Sequence, residues 1–162
     1  MLSLLKIKNI ALIDEIAIEF ARGLNLLTGE TGSGKSIIVD SLGALTGERI
    51  SSDLIKEGET TAQIEGLFNV LNSALVRETL AEGGIEVDNT EEVDIIVRRE
   101  LAAGGRNRIF VNNQLATQVF LKKLARFSSI FTGRASRQRF LTRRLIWKCS
   151  TNLRIYRTSV KI

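Results

Sequence analysis

Histidine and proline are missing from this chain, and cysteine occurs once, as Cys149. Without histidine, neither a zinc site nor an imidazole-based triad can be built, and a lone cysteine leaves no disulfide framework. No run approaches the roughly 18 apolar residues of a membrane-spanning helix. The N-terminus, Met1-Leu2-Ser3-Leu4-Leu5-Lys6, lacks the charged n-region and cleavage site of a secretory signal. These absences point to a cytoplasmic protein with no membrane partner. Acidic residues are missing from one part of the chain only: residues 101–162 hold 14 Lys and Arg and no acid, whereas residues 1–100 hold 9 Lys and Arg with all 18 Asp and Glu. Two compositions are joined, and the net charge of +5 comes from the second. That basic end is either a DNA-binding surface or a stretch never selected as protein.

What is present is enough for one domain with a core, since 44% of the 162 residues are hydrophobic. The stretch around which the rest is organised is Gly29, Glu30, Thr31, Gly32, Ser33, Gly34, Lys35 and Ser36. It fills every fixed position of the phosphate-binding loop pattern G-x-x-x-x-G-K-[S/T]. A polyphosphate needs several N–H donors converging on one cluster of oxygens, and Gly29, Gly32 and Gly34 remove the side chains that would block that approach. The pattern sets the Lys35 ammonium against the β and γ phosphates and the Ser36 hydroxyl on the bridging Mg²⁺. Such a loop should leave a buried strand and open a helix whose N-terminus faces the anion. Leu24-Asn25-Leu26-Leu27-Thr28 reads as that strand. Residues 36–45 read as the helix, with Ile37, Ile38, Leu42 and Leu45 along one side and Gly47 as its stop.

Before the loop, residues 1–8 alternate as an edge or half-buried strand, and residues 13–20 alternate with Ile16, Ile18 and Phe20 on one face. Residues 46–60 read as a loop and residues 62–68 as a further strand. A short helix over 73–81 ends at Gly83-Gly84. Residues 93–101 and 107–111 form a hairpin closed through residues 102–105, with a second turn at Asn112-Asn113. Residues 115–127 are an amphipathic helix, with Val119, Phe120, Leu121, Leu124 and Phe127 apolar and Lys122, Lys123 and Arg126 exposed. Arg98, Arg99, Arg106 and Arg108 are candidates for a phosphate-contacting cluster. The reading preferred here is that they alternate outward to stay solvated. Asp40 and Glu48 are candidates for touching the metal through water; the reading preferred is that they are inert residues on the exposed side of a helix end.

Three segments together carry a resemblance: residues 7–14 (IKNIALID), the loop at 29–36, and residues 40–49 (DSLGALTGER). They closely resemble the start of the RecN family, bacterial recombinational repair ATPases related to structural-maintenance-of-chromosomes (SMC) proteins. Val97-Arg98-Arg99-Glu100, Gly105-Arg106-Asn107-Arg108 and Val111-Asn112-Asn113 look like that family's second sheet. The resemblance implies an α/β fold, the N-terminal lobe of an ABC-type ATPase head. In such a head a phosphate-loop NTPase sheet carries an antiparallel β subdomain. It also implies ATP and Mg²⁺ as ligands, a head-to-head homodimer enclosing two nucleotides, DNA as partner, and a place beside the nucleoid. Lys35 and Ser36 carry over as phosphate and Mg²⁺ ligands. No apolar strand ending in Asp-Glu follows the loop, and neither a signature segment nor sustained heptads occur, so the hydrolytic residues of the family do not carry over and no catalytic residue is assigned.

The resemblance covers residues 1–127 and stops where the family continues into Asp-Ile-His-Gly-Gln. Here the chain reads Ser128-Ser129-Ile130-Phe131-Thr132-Gly133. Permitted codons for residues 129–138, read from the third base of the Ser129 codon, give Asp-Ile-His-Gly-Gln. The expectation is therefore a lobe over 1–127 followed by an out-of-frame tail over 128–162 that ends at a premature stop. Two other readings stand beside a nucleotide-binding head fragment: a complete small phosphate-loop NTPase, and a nucleic-acid-binding module that uses the basic tail.

Overall fold

A computed structural model describes residues 1–23, 25, 27, 28 and 34–127. Strand β1 (Leu2–Ile10) turns back through Ala11 and Leu12 into β2 (Ile13–Glu19). Helix α1 (Lys35–Leu45) follows the loop, and a single 3-10 turn (Ser52–Leu54) interrupts the long connection to β3 (Thr61–Leu71). Then come helix α2 (Ala74–Glu82), strands β4 (Glu92–Ala102), β5 (Arg108–Val111) and β6 (Gln114–Leu115), and helix α3 (Gln118–Ala125). The six strands form one antiparallel sheet in the order β2-β1-β3-β4-β5-β6. The architecture is α/β. Strand β1 is interior, flanked by β2 and β3, rather than an edge, because β3 returns across the sequence to pair with its free side.

Alternation decides which face of the sheet is dry. Leu5 and Ile7 of β1, Ile64, Phe68 and Val70 of β3, Val93, Ile95, Val97 and Leu101 of β4, and Ile109 and Val111 of β5 are buried together. Ile38, Ala44 and Leu45 of α1, Val76 and Leu80 of α2 and Leu121 and Leu124 of α3 complete that core. The opposite face is polar and cross-paired: Lys6 reaches Glu65 at 3.9 Å, Asn69 donates to Asp94 at 3.2 Å, and Arg98 lies 3.6 Å from Glu100 and 4.7 Å from the centre of the Phe110 ring.

The helix expected over 115–127 is shorter at its start. Leu115 pairs with Phe110 as part of β6, and the Thr117 hydroxyl caps α3 by accepting from the Phe120 N–H at 3.1 Å. Val119 is therefore 78% exposed, while Leu121 and Leu124 face the core. The expected turn at Asn112-Asn113 is there, with φ of 46° and 66°, the left-handed pair that a two-residue hairpin requires.

Candidate functional site

Helix α1 is the element that positions the phosphate-loop residues. Gly34 stands at its N-cap with φ +80°, a left-handed conformation that other residues adopt only under strain, and a Cβ there would meet open space. No side chain caps this end of the helix and no acidic residue occupies its first turn. Among the described residues, then, the first turn brings no negative charge to the positive end of the helix dipole. Lys35 and Ser36 are the first two helical residues, Lys35 half-buried and Ser36 exposed. Gly29, Glu30, Thr31, Gly32 and Ser33 lie outside the described residues.

The strand expected at residues 24–28 is not formed at its described positions: Asn25, Leu27 and Thr28 are in no regular structure, and Leu27 is 40% exposed. A strand needs a neighbour offering N–H and C=O groups in register, and none of the six strands pairs with residues 25, 27 and 28. Asn25 instead holds the preceding turn, accepting from the Ala21 N–H at 3.0 Å and donating to the Ala21 carbonyl at 2.9 Å.

The far end of α1 is anchored heavily. After Leu45, Gly47 takes φ +93°, and the Glu48 and Gly47 N–H groups return to the carbonyls of Gly43 and Ala44. This is the double closure of a Schellman ending. Arg99 then reaches in from β4. Its Nη1 donates to the Ala44 carbonyl at 3.0 Å and to the Glu48 carbonyl at 2.7 Å, placing a guanidinium at the negative end of the helix. Arg99 is only 4% exposed, and burial pulls its pKa below the ordinary arginine value. Gln118 of α3 ties the same loop by donating to the Gly47 carbonyl at 2.9 Å.

The four arginines of the expected cluster thus divide. Arg98 faces the polar side of the sheet, Arg106 and Arg108 are exposed near the β4–β5 turn, and Arg99 points inward, against the expectation that all four stay solvated. The signal was in the pattern: Val93, Ile95, Val97, Arg99 and Leu101 share one parity, so the residue between two buried apolar neighbours had to face the core. Ile37 and Leu42 are half-buried, whereas Ser41 and Ala44 of α1 are buried. The Ser41 hydroxyl is accommodated by donating to the Ile37 carbonyl at 2.7 Å, within the helix. Asp40 and Glu48 are exposed, and among the described residues no group of acidic or sulfur side chains is placed to hold a metal.

Comparison with known proteins agrees with this geometry. The model of the AAA domain family matches residues 4–154. The DNA repair protein RecN of Bacillus subtilis is 43% identical over 126 residues, which is 78% of this chain and 21% of the relative. The chain spans about one fifth of the length of the RecN proteins it matches. Among solved structures, one concerned with ATP-driven dimerization and DNA-stimulated activation of SMC ATPases superposes with a TM-score of 0.58 at 23% identity. That match covers 79% of this chain and 81% of the other. The SMC head domain from Thermotoga maritima gives 0.52 at 26% identity, covering 73% of this chain and 39% of that one. The six-stranded antiparallel sheet with its packed helices matches the fold of the N-terminal lobe of SMC ATPase heads, and the chain, similar to RecN over most of its length, belongs to the AAA domain family.

Proposed function

We propose that this chain supplies the phosphate-binding half of an ATP site in a RecN-type DNA repair ATPase. The observation that carries the reading is left-handed Gly34 at the start of α1, leading into Lys35 and Ser36 behind an intact loop pattern. The residues fit the ligand: an 11-residue helix with no acid in its first turn directs its positive end at the loop. Gly29, Glu30, Thr31, Gly32, Ser33 and Gly34 bring main-chain N–H groups to the phosphates, Lys35 neutralises the β and γ oxygens, and Ser36 ligates Mg²⁺. Bound Mg²⁺ draws charge from the phosphate oxygens. No residue of this chain is assigned to activating water, so binding rather than turnover is its contribution. By kinship with SMC heads the dimer would close over nucleotide, with DNA as the macromolecular partner.

The test is calorimetric titration of ATP with and without Mg²⁺. The parent chain should bind, and binding should tighten with Mg²⁺. Lys35→Ala should lose at least tenfold in affinity, the scale expected for removing one charge-assisted contact of about 1.5–3 kcal/mol. Equal binding by parent and variant would refute the proposal.

A further inference from the structure

A cavity lies at the other end of α1 from the phosphate loop. It measures about 610 Å³ and is lined by Arg49, Arg99, Arg106, Asn107, Arg108 and Gln118, with Ile50, Ile109, Leu115 and Ala116 as its apolar wall. An 11-residue helix is about 16 Å long, so this cavity and the loop are separate places. Four arginines and no acidic side chain line it. Elsewhere on the described surface, Lys6, Arg22, Lys56, Arg98 and Lys123 each have a carboxylate within 4.0 Å. Among the described residues, Arg49, Arg99, Arg106 and Arg108 have none within that distance, as is also true of Lys8, Arg77, Lys122 and Arg126; what sets the four arginines apart is that they line one cavity.

Gathering like charges without counterions is unfavourable, and ordinary surfaces avoid it by interspersing acids. Here the arrangement is also built from below. Arg99 is held rigidly by two main-chain carbonyls, and its Nε is buried without a hydrogen-bond partner. Arg106 and Arg108 come from the end of one hairpin, Arg49 from the loop after α1, and Gln118 and Asn107 add neutral amides to the same lining. A planar guanidinium presents paired donors that match two oxygens of a tetrahedral phosphate, which is why clusters of arginine rather than lysine mark phosphate recognition.

We propose that this cavity is a second phosphate-binding site, distinct from the loop at the start of α1, which takes a phosphate group carried by a nucleic acid strand or by a free phosphate compound. Its occupation also touches the anchor of α1, because Arg99 serves both the cavity and the carbonyls that close the helix.

The test uses the full chain carrying Lys35→Ala, so that the loop does not contribute, and follows amide resonances of residues 105–109 and Gln118 by NMR. Pyrophosphate and a short oligothymidylate are titrated separately, each into this chain and into the same chain with Arg106→Ser and Arg108→Ser. Both substitutions are at exposed positions and leave the core intact. The expected result is saturable movement of those resonances, with affinity about tenfold weaker in the double variant. Movement with the oligonucleotide alone assigns the ligand to a nucleic acid strand, and movement with pyrophosphate assigns it to phosphate groups in general. Resonances that stay still with both probes, or that titrate equally in the two chains, overturn the proposal.

Discussion

Arg99 shows how much one side chain can contribute when it is placed between elements. It joins β4 to the C-terminal end of α1 by donating to the Ala44 carbonyl of the last turn and to the Glu48 carbonyl just beyond it. Replacing it by methionine keeps most of the volume and removes the donors. Arg99→Met should cost about 1–3 kcal/mol of unfolding free energy, measured by urea denaturation, because a buried charged donor is lost from two carbonyls, of which that of Ala44 keeps the Gly47 N–H. The N-terminal amine offers a second test at this scale. It donates to the Asn69 carbonyl, and burial lowers its pKa from 8.0, with Glu92 opposing that change and Arg22 adding to it. The unfolded amine binds its proton more readily, so between the lowered folded value and pH 8 the unfolded state holds more protons and stability rises with pH. The gain is complete above the unfolded value and is lost as pH falls through the folded one. Thermal melts across that window should show this slope in the chain with a free amine, and acetylation of Met1 should flatten it.

Among the elements, α1 carries the functional reading, and its seat on the sheet depends on a residue with no side chain. A Cβ at Gly66 of β3 would stand 2.5 Å from Leu45 Cδ1, 2.9 Å from Phe68 Cε2 and 3.3 Å from Leu2 Cδ1. Leu45 is 2% exposed and has little room to retreat. Gly66→Ala should therefore displace α1 and destabilise the chain by about 1–3 kcal/mol by overpacking, read by chemical denaturation. Neutral or improved stability would show that the helix is free to shift. A Cβ at Gly83 would stand 2.4 Å from Phe120 Cζ, so the end of α2 also lies close against α3, beside the ion pair of Lys123 with Glu82 at 2.6 Å. Most elements were readable from alternation and from their punctuation: Ser73 caps α2, Gly47 ends α1, and Asn112-Asn113 turns the last hairpin. The start of α3 was misplaced because Leu115 fits a helical stripe as well as a strand, and only its pairing with Phe110 decides between them.

At the scale of the molecule, all three helices contribute to a core on one face of a six-stranded sheet, and among the described residues no helix is long and apolar enough to cross a membrane. We propose a boundary at residue 127, where the described residues end, and the match to the AAA domain family runs on past it to residue 154. Residues 128–162 lie outside the described residues, and we propose that they are translated out of register. The gene across codons 120–162 should read Asp-Ile-His-Gly-Gln from the third base of the Ser129 codon, and a nucleotide sequence that denies this removes the proposal. By itself the sequence determined the phosphate-loop pattern, the strand alternation and the resemblance to RecN, because each is local and is written in residue type and spacing. Tertiary structure alone decided that β1 is interior, that residues 25, 27 and 28 form no strand, and that Arg99 closes a helix instead of facing water. These depend on which distant segment supplies the neighbour, and hydrogen-bond partners more than 50 residues apart leave no trace in local spacing.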